Sequence, residues 1–502
     1  MKQLIYVIFL AFATITIFSN CVDDEFDFTT DSNARLDFSL DTLRFDTVFT
    51  ELGSATRSFK IYNRNDKAVR ISNLFLENKS GIRWRLNVDG VPGNAQQNVE
   101  VLANDSIYVF VEVTIDPDQP LSVSPYVIED RVVFETNGNT QFVNLEAWGQ
   151  NANYFPSRFN KGVAVRLTCN NGPLVWDDPK PYVIYGAVFV DSCELVIPAG
   201  ARIYVHGGVA QNDIFGGIYN DGILYIQPAG KLTIKGTKEN PVVIQGDRLE
   251  ENFLDAAGQW NGIILGRGSK GNTIEYATIR NSRFGILVDS TAELTARNSQ
   301  FYNTTSSGII GYRSKITAEN CLIYNNGGTS VLFLQGGDYN FTYCTIASYG
   351  VNASALGMSN FFCHNSDCSS RTIYRLNARF KNSIIFGSQN DELELSDISE
   401  GKDPLLYNIN FEDCIVRVQE LLRFNNGQYA NFLENQCKPC INATRNDKIF
   451  ADPNEDDYHL DSLSIAIEKA KPIDFPRVIN IDLEGKMRDA SKPDIGCYER
   501  EN

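Results

Sequence analysis

A repeat of about 22 residues between positions 272 and 348 constrains the fold of this 502-residue chain more than any other feature. Four successive segments read TIEYATIRN, LTARNSQFYN, ITAENCLIYN and NFTYCTIAS, and they align on a small residue that recurs at spacings of 22, 22 and 23. An apolar residue follows two positions later, and Asn recurs one position before and four positions after the small residue. The small column is Ala277, Ser299, Cys321 and Cys344, and the apolar column is Ile279, Phe301, Ile323 and Ile346.

This period predicts a β-solenoid. A coil of about 22 residues holds three short strands and three turns, but alone it cannot bury its inner face. Stacking the next coil pairs the strand edges and continues each inward column as a ladder of like side chains. Asn suits the corners because its short amide tolerates the left-handed backbone conformation and can hydrogen-bond locally or to the Asn of the next coil. A leucine-rich repeat has a similar period, but the xLxxLxL consensus is missing, so a β-helix is the better interpretation.

Three stretches outside this repeat carry a family resemblance. They are ILYIQPAGKLTIKGTKENPVVIQG at 223–246, GQWNGIIL at 258–265, and a closing segment at 457–499 that contains DYHLDSLSIAIEKA and KPDIGCYE. Together with the Asn-rich coils they resemble secreted bacterial right-handed parallel β-helix proteins of the pectin-lyase-like fold, over roughly residues 151–498. The resemblance implies an all-β fold. It does not choose a function, because lyases, hydrolases, adhesins and proteins without known activity share this scaffold.

The first 20 residues predict a targeting signal, since Lys2 is followed by an apolar run at 4–18 that is short for a membrane-spanning helix. Cys21 comes next, so the segment resembles a lipoprotein signal, which implies that Cys21 becomes the lipidated N-terminus. Asn20 departs from the usual small residue, and an ordinary secretory signal is the alternative. Residues 21–34 form an acidic tether that resembles the surface-export signal of Bacteroidetes lipoproteins. This implies an outer-membrane lipoprotein exposed at the cell surface.

Residues 35–150 have the texture of an all-β domain without the 22-residue period. Six to eight strand-like runs, among them SFKIYNR and SIYVFVEVTI, alternate with turn-rich NKSG, DPDQP and NGN. This pattern fits an Ig-like β-sandwich, and the stretch from LANDSIYVFVEVTIDPD to FETNGNTQFVNLEAWGQ resembles Ig-like domains of the abnormal-spindle and Hydin type. We expect a right-handed parallel β-helix with loop insertions at 151–445 and a C-terminal capping segment at 446–502.

The formal net charge of −17 argues against nucleic acid as a partner and against a hold on anionic lipid through basic side chains. No second apolar stretch is long enough to span a membrane, so attachment to outer-membrane lipid is expected through Cys21. The acidic balance also disfavours polyanionic substrates such as pectin unless calcium bridges the charges. A polysaccharide or a surface protein is the expected second partner.

Ten cysteines remain when Cys21 is set aside, and an even number in an exported chain favours disulfides. Candidate bridges lie close in sequence or about one coil apart: Cys363 with Cys368, Cys437 with Cys440, and Cys169 with Cys193. Cys321 and Cys344 belong to the inward column, where free thiols acting as small apolar side chains are at least as well supported. The CKPC sequence at 437–440 lacks the βαβ surroundings of a thioredoxin-type site. A zinc site that combines it with residues 363–368 has the wrong spacing.

No catalytic residue is predicted. Polygalacturonase-like enzymes carry catalytic aspartates followed by Gly-His-Gly. In this chain the Asp-Asp pairs of the expected folded domains are at 177–178 and 456–457, and the sequence contains no Gly-His-Gly. The strands after the Asn corners, GILVDS, GIIGYR and SVLFLQ, are mostly apolar, and Asp289 is their only carboxylate. Pectate-lyase-like sites need a calcium-binding carboxylate cluster beside a Lys or Arg base. Of the three histidines, His459 lies in the terminal DYHL motif, where a structural role is the natural interpretation.

No metal or cofactor is expected, with calcium as the alternative. Loop carboxylates could bind calcium, although solvated turns are the more frequent reason for such residues. These carboxylates are Asp247, Glu250, Glu251, Asp255, Asp391, Glu392 and Glu394.

One outward-facing column is a candidate ligand face. The residue after each apolar position points outward, which gives Arg280, Tyr302, Tyr324 and Phe386 along one sheet. Stacked aromatic rings on a flat sheet suit sugar rings or a partner surface. The alternative is that an insertion or the C-terminal segment covers this column.

These observations favour a lipid-anchored surface protein that binds a glycan or a partner without catalysis. The rival interpretation is a polysaccharide lyase or glycoside hydrolase whose site is built from the insertion loops, where a motif search on the strands would not find it.

Overall fold

The computed structural model describes residues 27–49, 54, 56–78, 83–115, 126–155, 164–212, 217–250, 253–399, 402–423 and 427–500. The predicted signal peptide, Cys21 and the first part of the acidic tether lie outside these residues. Within the described chain, no helix has the length and apolar composition that crossing a membrane requires. The chain divides into two compact units, Met1–Asn151 and Ala152–Asn502.

The N-terminal unit contains two five-stranded sheets, counted among the described residues, that share one apolar core. Phe45 and Trp84 come from different sheets and meet edge to face with centroids 5.6 Å apart. In spatial order, the first sheet is Asp37–Phe38, Arg57–Tyr62, Ser106–Thr114, Arg83–Val88 and Val91–Pro92. The second is Thr42–Phe49, Asn139–Gln150, Tyr126–Thr136, Val69–Leu76 and Ala95–Val101. The domain is all-β, and its Ig-like identity stays a prediction.

The second unit is a parallel β-helix, and its eleven-stranded sheet contains one strand from each coil among the described residues. Consecutive strands are parallel and in register, so that Ile279 faces Phe301 and Phe301 faces Ile323. The strands in order are Asn153–Phe155, Tyr182–Tyr185, Arg202–His206, Val242–Gly246, Ala277–Arg280, Gln300–Thr304, Leu322–Asn326, Thr345–Ser348, Ile384–Gly387, Cys414–Val416 and Cys440–Asn442.

A sixteen-stranded sheet, counted in the same described residues, forms the other two sides of the β-helix. Its two arms are joined by the long strands Ile309–Glu319 and Val331–Thr342, which belong to both. The first arm adds Val165–Leu167, Ala187–Val190, Ile223–Ile226, Gly262–Leu265, Ile286–Val288, Leu356–Ser359 and Leu393–Ser396. The second arm adds Leu174–Val175, Glu194–Pro198, Lys231–Lys235, Asn272–Glu275, Glu293–Arg297, Leu376–Lys381 and Tyr407–Glu412.

Short elements leave this framework at the corners. Three antiparallel hairpins are Val209–Asn212 with Gly217–Asn220, Phe361–Cys363 with Arg371–Ile373, and Phe450–Asp452 with Asp457–Leu460. A one-turn helix at Phe432–Asn435 and a 3-10 turn at Pro453–Glu455 complete the described elements.

The predicted inward columns are confirmed. Ile279, Phe301, Ile323 and Ile346 are completely buried and belong to one continuous core with the small column. Each such side chain contributes about 1.5–3 kcal/mol by leaving water. The second arm extends the core with stacked rings of Phe341, Phe380 and Phe411, whose successive centroids are 5.4 and 4.8 Å apart.

The Asn corners have the left-handed conformation expected of them. Asn298 and Asn320, at the bend between the second arm and the eleven-stranded sheet, have φ of 47° and 49°. Asn303 and Asn325 have φ of 51° and 48° at the next corner. Amide side chains connect neighbouring coils there: Nδ2 of Asn325 donates to Oδ1 of Asn303 at 2.6 Å.

The C-terminal segment, residues 446–500, packs on the outer face of the eleven-stranded sheet. Arg488 holds it there with a side chain that is 2% exposed. Its guanidinium donates to Glu499 at 3.2 Å and to Asn320 of the corner column at 3.0 Å, and it lies 3.9 Å from the ring centre of Tyr343. His459 contacts Asp457 at 2.6 Å and Glu484 at 3.1 Å, within this segment.

Candidate functional site

The predicted ligand face at Arg280, Tyr302, Tyr324 and Phe386 is wrong as an open surface. The register is as predicted: Arg280 pairs with Tyr302 and Tyr302 with Tyr324, whose rings stack at 4.6 Å. However, Tyr324 is 6% exposed and Phe386 4%, beneath the C-terminal segment. The ring of Tyr458 lies 4.8 Å from that of Tyr324. Covering an outward apolar column removes it from water, which is a favourable use of the chain's own end.

The remaining part of this column is already occupied by protein partners. Arg280 donates to Gln245 at 2.9 Å and to the Tyr302 hydroxyl at 3.3 Å, and lies 3.6 Å from Asp255 in the loop above. The eleven-stranded sheet therefore offers little free surface where the ligand face was expected.

The outer face of the second arm is polar and self-paired. Lys231 meets Glu194 at 2.9 Å, and Arg297 lies between Glu275 and Glu319 at 2.9 Å from each. Threonines occupy the column between these charges at 273, 295 and 317. Cross-strand pairs of this kind stabilise the sheet and leave few charges for a ligand.

The outer face of the first arm differs from both. One outward column there is apolar over six successive coils of the described chain, and we name it the axial stripe: Phe189, Tyr225, Ile264, Leu287, Ile310 and Leu332. Ile310 is buried, whereas the other five are partly exposed. None of the six belongs to the three apolar clusters that the described residues form.

Two aromatic residues begin the axial stripe. Phe189 and Tyr225 have ring centroids 5.5 Å apart and are tilted by 40°. Gly266, in the next coil, allows the Tyr225 ring to lie across its backbone, because a Cβ there would approach ring atom Cε1 to 2.6 Å. An aromatic ring lying on a sheet in this way offers a flat apolar surface. Partial burial raises the pKa of the Tyr225 hydroxyl.

The axial stripe continues through Gly357 to Glu394 in the last strand of the first arm. At this end lies a cavity of about 780 Å³, lined mainly by polar side chains that include Asn352, Gln389, Glu394 and Glu420. Its rim is fixed by Asp391, whose carboxylate accepts backbone N–H groups of residues 419, 420 and 421 at 2.6–3.2 Å. Glu394 and Glu420 are the exposed carboxylates of this lining.

Glu392 is a carboxylate that sequence reasoning placed in a loop, but it faces the interior and is completely buried. Its oxygens accept the backbone N–H of Ala355 at 2.8 Å and of Gln389 at 2.7 Å. Burial outweighs these bonds and the nearby Arg417, and raises the pKa of Glu392 to about 7. With both oxygens occupied, this group stabilises a corner.

Three of the other predicted calcium carboxylates have protein partners. Asp247 contacts Nδ1 of His206 at 2.7 Å, Glu250 contacts Arg248 at 3.0 Å, and Asp255 lies 3.6 Å from Arg280. Glu251 lies outside the described residues. Burial lowers the pKa of His206, but the hydrogen bond to Asp247 and the charge of that carboxylate outweigh burial, so the pKa of His206 is raised. Within the described chain, no group of three or more His, Cys, Asp or Glu side chains could hold a metal ion.

The structure pairs all six candidate disulfide cysteines. Cα–Cα distances are 4.8 Å for Cys363–Cys368, 5.3 Å for Cys437–Cys440 and 5.1 Å for Cys169–Cys193. The four cysteines that the zinc alternative would use are thus paired with each other. The described chain retains four buried free thiols, at 321, 344, 414 and 497.

Sequence reasoning noted that GILVDS, GIIGYR and SVLFLQ are apolar but did not use them as a ligand face. The alternation of inward and outward residues in these strands could have identified this face. The outward residue is Leu287 in GILVDS, Ile310 in GIIGYR and Leu332 in SVLFLQ, and all three are apolar. An apolar residue at the outward position of several successive coils indicates a face that either is covered by another part of the chain or binds a partner.

A protein-family model agrees with the architecture of the second unit. The family model described as right handed beta helix region matches residues 182–369. No curated protein sequence matches the chain. Among solved structures, pectate lyase Pel9A is 10% identical, with 70% of this chain and 88% of that chain covered and a TM-score of 0.30.

Two further solved structures are similar at the same low level. The catalytic unit of a thermostable GH87 α-1,3-glucanase from Streptomyces thermodiastaticus is 10% identical, with coverages of 72% and 74% and a TM-score of 0.25. An ASH/PapD-like domain of human CEP192 is 8% identical, with coverages of 24% and 87% and a TM-score of 0.17. The matched family region and the strand register together make the second unit a right-handed parallel β-helix.

Proposed function

We propose that this protein is an exported binding protein that holds a neutral glycan chain along the axial stripe without cleaving it. The observation that carries the proposal is the contrast between the three outer faces of the described β-helix. One is covered by the C-terminal segment, one carries paired charges, and the axial stripe is apolar, with five of its six side chains partly exposed.

The dimensions and chemistry of the axial stripe fit an extended polymer. Six strands at about 4.8 Å spacing give a surface of roughly 24 Å along the helix axis. Sugar rings have apolar C–H faces that pack on aromatic and aliphatic side chains, and Tyr225 lies flat at one end. Because the sheet is rigid before binding, little conformational entropy is lost from the protein. Polar edges of the sugar can bond to Asp289 and Tyr312, which flank the column.

A neutral chain is favoured over an acidic one at this face. The net charge of the protein is −17, and the exposed Glu394 and the partly exposed Asp289 would repel uronates. Absence of cleavage is proposed because the six side chains of the axial stripe include no carboxylate or histidine, the side chains that most often serve as general acid or base. Calcium is not required by this mode of binding.

The proposed location follows from the N-terminal segment. Lipid on Cys21 would anchor the protein in the outer membrane, and the acidic tether would present it at the cell surface. Labelling with radioactive palmitate tests this point: Cys21→Ala should abolish incorporation and release the protein from membranes. A Cys21→Ala variant that still incorporates palmitate and stays in the membrane fraction would contradict anchoring through Cys21.

Retention of the full chain on neutral polysaccharides, with calcium or with a chelator, tests the binding proposal. Tyr225→Ala and Leu287→Asn should each weaken binding by about tenfold, since each removes an apolar contact of the axial stripe. Thr295→Ala is the matched control, because it lies on the paired second arm in the same coil as Leu287. If Thr295→Ala weakened polysaccharide binding as much as the two stripe variants, the axial stripe would not be the binding face. Release of new chain ends by the wild type would refute the non-catalytic role and support a lyase or hydrolase.

A further inference from the structure

One corner of the β-helix brings together three titratable side chains that the proposed glycan binding does not use. His206 ends one strand of the eleven-stranded sheet, and Asp247 directly follows the paired strand of the next coil. Asp221 closes the base of the hairpin that begins after this corner, where its backbone N–H donates to the carbonyl oxygen of Gly208 at 2.8 Å. The strand register and the hairpin therefore place a histidine and two carboxyl groups at the same corner.

The imidazole of His206 is held in a fixed orientation but stays accessible. Its Nδ1 contacts Oδ2 of Asp247 at 2.7 Å, and its ring stacks on Tyr185 of the preceding coil with centroids 4.5 Å apart. The side chain of His206 is 41% exposed, whereas that of Asp247 is 12% exposed. Among the described residues Nε2 of His206 has no hydrogen-bond partner. A carboxylate that holds one imidazole nitrogen leaves the other free to transfer a proton.

Asp221 is the second reactive group at this corner. It is 9% exposed, and its Oδ1 is buried without a hydrogen-bond partner among the described residues. Its backbone is adjacent to that of His206, because a Cβ on Gly222 would approach the carbonyl oxygen of His206 to 3.1 Å. The charges of Asp221 and His206 also act on each other. A buried carboxyl oxygen without a protein partner is costly, and a water molecule or a ligand is the group that satisfies it.

The protonation states of the two groups are complementary. Burial lowers the pKa of His206, but the hydrogen bond to Asp247 and the charges of Asp247 and Asp221 outweigh burial and the opposing charge of Arg248, so this pKa rises above 6.5. Burial raises the pKa of Asp221 from 3.8 and outweighs a backbone N–H, the charge of His206 and the Tyr219 hydroxyl. At a pH between the two pKa values, His206 carries a proton and Asp221 does not. One group can then donate a proton while the other accepts one.

We propose that His206 and Asp221 form an acid–base pair that hydrolyses carboxylic esters on the hydroxyl groups of a bound glycan, with Asp247 as the positioning residue. Asp221 accepts a proton from water, and the water oxygen bonds to the carbonyl carbon of the ester. The bond from that carbon to the sugar oxygen then breaks, and the sugar oxygen takes a proton from Nε2 of His206. The products are a carboxylic acid and a free sugar hydroxyl. The proton on Asp221 returns to His206 through solvent, so both groups are restored and nothing is oxidised or reduced.

The position of the corner favours an ester substituent over the glycosidic bond. Asp221 lies four residues before Tyr225 of the axial stripe, at most about 13 Å along an extended chain. The corner is thus beside the stripe, and substituents of a bound glycan reach closer to it than the linkages of the glycan backbone do. Phe253, which is 40% exposed and packs on Arg248 beside Asp247, offers apolar surface for an acyl group. That a glycan carries the ester rests on the proposed function, whereas the acid–base pair does not.

Acetate release from an O-acetylated neutral polysaccharide by the full chain, followed by proton NMR, tests this activity. Hydrolysis of p-nitrophenyl acetate is the reference reaction with a small ester. His206→Gln and Asp221→Asn should each lower both rates by about 100-fold, since each removes one proton-transfer group. His364→Gln is the matched control, because His364 is an exposed imidazole whose Nε2 contacts Thr372 at 2.8 Å, and this variant should react at close to the wild-type rate.

The pH profile gives a readout that a purely structural role would not change. The wild-type rate should rise as Asp221 loses its proton and fall as His206 loses its proton, which gives a bell-shaped profile. Asp247→Asn should move the alkaline limb to lower pH, because the carboxylate that favours the proton on His206 is removed. A wild-type rate that rises steadily with pH would overturn the acid–base pair, even if a variant failed to fold.

Other outcomes would also overturn the proposal. No acetate release by the wild type, or equal release by His206→Gln and Asp221→Asn, would remove the activity from this corner. Hydrolysis of p-nitrophenyl acetate without acetate release from the polysaccharide would exclude the sugar ester as substrate. Tyr225→Ala should weaken polysaccharide binding and acetate release but leave hydrolysis of p-nitrophenyl acetate unchanged. If the wild type did not bind neutral polysaccharide but hydrolysed p-nitrophenyl acetate through His206, glycan binding would fail while the acid–base pair stood.

Discussion

Glu392 gives a quantitative prediction about the pH dependence of stability. Its carboxylate is completely buried at a corner of the β-helix, where it accepts two backbone hydrogen bonds. Burial raises its pKa from 4.5 to about 7, in spite of those bonds and of Arg417. In the unfolded chain the same group is exposed to water and titrates near its ordinary value.

The sign follows from proton binding. Between pH 4.5 and 7 the native state keeps a proton on Glu392 that the unfolded state has lost, so raising the pH favours unfolding. This stabilisation is fully present below pH 4.5 and is lost as the pH rises through 7. At about 1.4 kcal/mol for each unit of pKa, the free energy of unfolding should fall by roughly 3 kcal/mol across the window because of this group.

Urea unfolding of the wild type and of Glu392→Gln, at pH values from 4 to 8, measures the effect. Because Gln does not titrate, the difference between the two unfolding free energies isolates Glu392 and should change by about 3 kcal/mol over the window. Asn390→Ala is the control in the same loop, and it should shift stability by a constant amount at every pH. A wild-type minus Glu392→Gln difference that is flat, or that grows with pH, would refute the reasoning.

Three further predictions concern the framework. Arg488→Met should destabilise the protein by about 3–5 kcal/mol in urea, because it leaves a buried carboxylate without its cation, whereas Arg500→Met, at an exposed position, should change little. Asn303→Ala should lower the free energy of unfolding by about 2 kcal/mol, because Asn303 has a φ of 51° and accepts a hydrogen bond from the next coil. Asn303→Gly should lower it by less, and thermal unfolding of both variants measures the difference. Phe301→Ala should cost about 3–5 kcal/mol and Thr295→Ala less than about 0.5 kcal/mol, measured by the same method; equal costs would contradict the inward and outward assignments.

The inward architecture could be predicted from sequence because it repeats locally. A small residue and an apolar residue two positions later identify the same corner and strand in every coil. The same pattern recurs in FKNSIIFG and FEDCIVRV, beyond long insertions, and its small residues Ser383 and Cys414 are completely buried. Corner geometry followed as well, since Asn is one of the few residues that adopts a positive φ at modest cost.

The covering of the outer face could not be predicted in the same way. Tyr324 and Phe386 form an outward apolar column whether water, a partner or the chain itself lies above them. The deciding contact comes from Tyr458, which is more than 100 residues from Tyr324 in sequence. A repeat in the local sequence does not indicate such a contact. The position of the C-terminal segment in the structure shows that this segment covers the column.

The ladder symmetry of the β-helix bears on the choice between binding and catalysis. Stacked coils repeat like side chains at equal spacing, which suits a polymer that also repeats, whereas catalysis requires a distinct acid or base at one position. Among the described residues, such breaks occur at Glu392, which faces inward, and at His206 with Asp247, which pair at a corner. The axial stripe has no break until Gly357 and Glu394, beside the 780 Å³ cavity. If cleavage of a bound glycan were observed, it should therefore occur at that end and be lost in Glu394→Gln, while binding along the stripe persists.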